Sequence, residues 1–93
     1  MRRSLIQSSA FARMLKRWLK RHPGQEDNMR AALELLEADA FHPRLRTHKL
    51  KGKWAGDWAC SAGYDLRIVF QFISHEGGEA ILLEALGSHD EVY

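Results

Sequence analysis

The 93-residue chain has a single cysteine, Cys60, so an internal disulfide and any cysteine-based zinc site are excluded. One unpaired thiol suits a reducing cytosol. No long apolar run is present either. The N-terminal stretch "MRRSLIQSSAFARML" begins with positive charge, but Gln7, Ser8, Ser9 and Arg13 interrupt it. It therefore reads as neither a signal peptide nor a membrane span. Also missing are a glycine-rich phosphate loop, an HExxH pair and any Cys/His metal spacing, so no metal or other cofactor is expected. There are no internal repeats and no low-complexity linkers. The length allows one domain, over 1–93. Hydrophobic content of 45%, with 10% aromatic, is enough for a real core and argues against disorder.

What is present is segregated charge. Residues 1–22 hold seven Lys or Arg and no acid, whereas residues 23–40 hold five acids and one arginine. Residues 41–56 hold five Lys or Arg and no acid, and residues 57–93 hold seven acids and one base, Arg67. Blocks of this kind can give a nearly neutral protein a basic face suited to a polyanion. In the first block the charges are also what a solvated helix surface requires. The block at 41–56 lies between elements and has no such explanation.

Residues 2–7 read as a short edge strand. Ser8 or Ser9 can cap the helix that follows. Phe11, Met14, Leu15, Trp18 and Leu19 make its apolar stripe, Lys16, Arg17, Lys20 and Arg21 its polar side, and "HPG" its end. A second helix opens on Glu26 and Asp27, placed against the partial positive charge of a helix N-terminus, and continues through Met29, Ala32, Leu33 and Leu36 towards Ala40. Next, "KWAGDWACS" is a plausible strand weakened by Gly56. "YDLRIVFQFI" alternates cleanly, with Tyr64, Leu66, Ile68, Phe70 and Phe72 on one face and Asp65, Arg67, Val69 and Gln71 on the other. "HEGG" supplies a hairpin turn, with glycines for positive φ. "EAILLEALG" returns as a strand apolar on both faces, as an interior strand is. The expected fold is α+β: an N-terminal helical hairpin packed on one face of a small, mostly antiparallel sheet.

If the helices cover Leu66, Ile68 and Phe70, the other face carries Asp65 and Arg67. A cross-strand ion pair, with Glu84 as partner, would leave the same trace in the sequence. The last strand leads into His89 and Tyr93, and His48 introduces the strand before, next to Lys49, Lys51 and Lys53. Gathered on one basic concavity, these groups suit metal-free RNA cleavage. Histidine can take or give a proton near neutral pH. Arginine offers a permanent planar cation to phosphate, and tyrosine can stack on an unpaired base. Arg46, Lys49, Lys51 and Lys53 read as RNA or ribosome contacts, although alternating lysines also protect an edge strand. Trp54 reads as packing, with Gly56 allowing close backbone approach, and Trp58 as either core or a stacking platform. His42 and His75 read as surface residues, and His22 as the end of a helix.

The segments "HKLKGKWAGDWACSAGYDLRIVFQF" and "LGSHDEVY" resemble the RelE/ParE superfamily of bacterial toxin–antitoxin toxins, especially its RelE/StbE and YafQ-like mRNA interferases. The resemblance is close over the C-terminal half, and the order of elements agrees elsewhere. It implies ribosome-dependent mRNA cleavage, growth arrest and neutralisation by a cognate antitoxin. It also implies catalytic roles for His48, Asp65, Arg67, His89 and Tyr93, with His48 or Asp65 as base and His89 as acid. Ser61 and Ala85 depart from the YafQ-like pattern, which has histidine and arginine there. Two other readings follow from the same likeness: a ParE-like toxin that binds DNA gyrase and cuts nothing, or an inactive homologue that sequesters antitoxin.

Overall fold

The computed structural model describes residues 2–63 and 65–88. Strand β1 (Ser4–Gln7) leads directly into helix α1 (Ser9–Arg21). Ser8 is the cap: its Oγ accepts from the Phe11 amide at 3.0 Å. Helix α1 ends at His22, followed by a 3-10 turn over Pro23–Gln25, and helix α2 (Glu26–Ala38) returns. A 3-10 turn at Pro43–Leu45 precedes the two-residue strand β2 (His48–Lys49). Strands β3 (Trp58–Ser61), β4 (Arg67–His75) and β5 (Gly78–Gly87) complete the chain's regular structure.

The sheet order is β1-β5-β4-β3-β2, with β1 parallel to β5 and every other pair antiparallel. The strand read as "KWAGDWACS" is shorter than its sequence implies. Gly52–Trp54 forms a 3-10 turn and Gly56 sits at φ +96°, so only Trp58–Ser61 pairs with β4. Lys49, Lys51 and Lys53 therefore do not share one strand. The β4–β5 hairpin closes on a two-residue loop whose positive φ values belong to Glu76 and Gly77, while Gly78 already pairs with His75. Two consecutive positive φ values are what the right-handed twist of a tight hairpin demands.

One side of the sheet meets the helices. Phe11, Met29 and Leu36 from α1 and α2 pack on Cys60, Ile68, Phe70, Ile81 and Leu83. Burial of such side chains, at about 1.5–3 kcal/mol each, is the main force holding the hairpin of helices on the sheet. Trp58 belongs to this core, edge-on to Phe41 and Phe72, with Lys49 Nζ 5.5 Å from its ring. The opposite side is not bare. Val69 is fully buried there beneath Leu50 and Trp54, with Ala59 and Ala85. The segment 50–57 thus folds over the sheet, tied down by the Leu50 amide donating to the Asp57 carbonyl at 2.9 Å.

Candidate functional site

Pairing fixes which residues share a face, because directly opposed residues of antiparallel strands project together. His48 opposes Ala59, Ala59 opposes Val69, and Val69 opposes Ala85. The next row along is Ser61, Arg67 and Gly87. By register His48 and Arg67 therefore share one face, two strands and one row apart. Standard strand spacings make that about 12 Å between Cα atoms, a span that an arginine and an imidazole can close around one phosphodiester.

His48 is exposed, and its Nδ1 lies 2.9 Å from the Arg46 carbonyl. A carbonyl only accepts, so the proton sits on Nδ1 and the neutral ring carries its basic lone pair on Nε2. The residue holding it has an unusual backbone: Arg46 caps the 3-10 turn Pro43–Leu45 in the left-handed region, at φ 51° and ψ 41°.

Arg67 is half-buried, and its Nη1 donates to the Leu66 carbonyl at 3.2 Å. Among the described residues it forms no ion pair. The pairing with Glu84 anticipated as an alternative does not occur. Between Val69 and Phe70 the β5 register steps from Ala85 to Leu83, leaving Glu84 as the extra residue of a bulge. Glu84 Oε1 instead accepts from Gln71 Nε2 at 2.6 Å, and among the described residues no donor reaches its buried Oε2. Burial, a hydrogen bond to Asp57 and repulsion from the Asp57 charge push the Glu84 carboxyl up to about 7, against a smaller opposing effect from Gln71.

Arg67 opens into a cavity of about 550 Å³ whose lining includes Ser61, Arg44, Arg46 and, from α2, Asn28 and Leu35. Asp65 lies elsewhere. It precedes β4 and lines a separate cleft of about 320 Å³ with Arg17, Trp18 and Arg21 of α1, His22, Gly87 of β5 and Ser88. The two hollows flank the start of β4. Strand alternation reads Asp65 and Arg67 onto one surface; in the structure they line two separate hollows. His89 and Tyr93, expected to complete the site, and Tyr64 lie outside the described residues. Lys49, Lys51 and Lys53 are all exposed.

Asn28, Arg44, Arg17 and Arg21 were not foreseen as lining residues. The acid-free block at 41–56 was the available signal for Arg44; nothing in the sequence indicated Asn28. Cys60 is excluded as a nucleophile, since burial pushes its thiol up to about 12 despite the nearby Arg67 charge. Among the described residues, no three His, Cys, Asp or Glu side chains gather as metal ligands, and no helix is long and apolar enough to cross a membrane.

The structure is similar to YafQ from E. coli strain BL21(DE3), with a TM-score of 0.77 and 17% identity over 98% of both chains. It is similar also to the E. coli DinJ–YafQ toxin–antitoxin complex, with a TM-score of 0.75 and 18% identity over 100% of this chain and 99% of that one. A metal-bound toxin from Helicobacter pylori matches at a TM-score of 0.70 and 26% identity over the whole of both chains. No curated protein sequence matches significantly. The profile of the family described as the bacterial toxin of type II toxin–antitoxin system, YafQ, matches residues 3–93. With that match across nearly all its length and this fold beneath it, the chain belongs to the YafQ family of type II toxin–antitoxin toxins.

Proposed function

We propose that the protein is a metal-independent endoribonuclease that cleaves mRNA on the ribosome, in the cytoplasm, and is held inactive by a cognate antitoxin. One observation carries the reading: by strand register His48 and Arg67 share one face of the sheet, two strands and one row apart, with the His48 proton fixed on Nδ1 by the Arg46 carbonyl. His48 Nε2 takes the proton of a ribose 2′-hydroxyl, whose oxygen attacks the adjacent phosphorus. The bond to the 5′-oxygen breaks, a 2′,3′-cyclic phosphate forms, and His89 returns a proton to the departing oxygen. Arg67 holds the charge that builds on the phosphoryl oxygens, while Tyr93 stacks on a base. Asp65, in the α1 cleft beside Arg17 and Arg21, is the weaker candidate for the base. Exposed Lys49, Lys51 and Lys53, with Arg46, supply contacts to RNA phosphates.

The relative solved with DinJ supports an antitoxin partner of the same kind. The test is to map cleavage positions on an mRNA undergoing translation in a purified system. The wild-type protein should cut, and Arg67→Ala, His48→Ala and His89→Ala should each lose about 10²–10⁴-fold in rate. Intact mRNA with the wild-type protein refutes the reading. A DNA-damage response on expression, without translation arrest, would point instead to a gyrase poison.

A further inference from the structure

Three arginines, Arg44, Arg46 and Arg67, line one cavity, and none of them has a carboxylate partner among the described residues. Other arginines near the same helix are neutralised: Arg30 pairs with Glu26 and Asp27, and Arg2 with Glu37. Guanidiniums grouped without acids repel one another, and that repulsion is relieved when an anion enters. Arg46 is further held in a left-handed conformation that a side-chain-bearing residue adopts at a cost, a form of strain that concentrates at binding sites. The cavity's volume, about 550 Å³, lies in the range of small-ligand sites.

Its α2 lining, Asn28, Ala31, Ala32 and Leu35, is not basic. Asn28 donates its Nδ2 to Gln25 Oε1 at 2.7 Å, which leaves the Oδ1 acceptor for a ligand. A phosphate-binding end and an amide-acceptor end describe a nucleotide better than a bare anion.

We propose that this cavity seats the nucleotide adjoining the scissile phosphodiester, with Arg44 and Arg46 gripping its phosphate and Asn28 selecting a base with an exocyclic amine. The seat rests on the ribonuclease reading in one respect: Arg67 belongs to both the cavity and the cut. The planar fork of arginine matches two phosphate oxygens at once. Asn28 Oδ1 accepts from the exocyclic amine at the edge of adenine, cytosine or guanine; uracil has no such amine and offers only its ring N3–H, set back from that edge.

The test uses the full chain and a labelled oligoribonucleotide methylated at every 2′-oxygen, which cannot be cut. Arg44→Ala and Arg46→Ala should each weaken binding about tenfold and reduce the slope of log affinity against log salt by about 0.7. Asn28→Ala should leave that slope intact while erasing the preference for adenine over uracil oligomers. Both arginine residues are exposed, so the fold should survive their loss. Unchanged salt slopes in both arginine variants, or no wild-type binding at low salt, overturn the seat, whereas mRNA cutting by the wild type would still stand. The expected slopes with translated mRNA left intact would support the seat and refute the ribonuclease reading alone.

Discussion

Replacing Glu84 with glutamine is expected to stabilise the protein at pH 8 far more than at pH 5. Burial in the β5 bulge and the facing Asp57 raise this carboxyl from 4.5 to about 7, so the folded chain binds the proton more tightly than the unfolded one. Below pH 4.5 both states are protonated and nothing is lost. Between about 4.5 and 7 the unfolded state sheds the proton first, and stability falls as pH rises. This is the reverse of the usual salt-bridged carboxylate. The difference in affinity corresponds to about 3 kcal/mol at full strength, and solvent screening of a partly exposed group reduces that to about 1 kcal/mol. The neutral amide of Glu84→Gln keeps the acceptor for Gln71 and adds a donor towards Asp57, removing the penalty. In thermal melts the variant should exceed the wild type by about 4–8 °C at pH 8 and by about a third of that at pH 5. Asp57→Asn should likewise flatten the pH profile. Equal gains at the two pH values would show that Glu84 does not titrate in this window and would refute the account.

Three other substitutions probe the scaffold. Leu36→Ala removes a fully buried contact between α2 and the sheet and should cost about 2–5 kcal/mol, read from urea midpoints. Ser8→Ala deletes the acceptor for the Phe11 amide at the start of α1 and should cost about 1 kcal/mol in the same measurement. Glu76→Asn should stabilise by about 0.5 kcal/mol, because asparagine tolerates the φ of 52° that the hairpin imposes on this position; a loss of stability would contradict the turn geometry.

Local patterns carried the architecture. The stripe from Phe11 to Leu19, the serine before it and the alternation through Ile68 and Phe70 each depend on neighbours a few residues away, and each appears in place. What escaped depends on distant chain. Val69 reads as outward-facing from its position in β4, yet Leu50 and Trp54 arrive from another segment to cover it. Strand alternation reads Asp65 onto Arg67's surface, yet Asp65 lines a cleft beside α1 while Arg67 lines one beside α2, a division that only the packing of the two helices sets. The positive φ at Glu76 was assigned to the glycines because composition names the permissive residues, whereas register decides which positions must bend. Asn28 could not be linked to Arg67 at all, since only packing of α2 along the sheet makes them neighbours.

The parallel seam between β1 and β5 has a consequence for how the protein is made. Ser4 faces Ala80 and Gln7 faces Leu83, so β1 waits for a strand made long after it. Helix α1 meanwhile has its apolar stripe ready, but its main support, Ile81 and Leu83, does not yet exist. Contacts so far apart in sequence form late and slowly. A nascent chain therefore stays unassembled until β5 has been made. Until then the apolar stripe of α1 has no sheet to cover it.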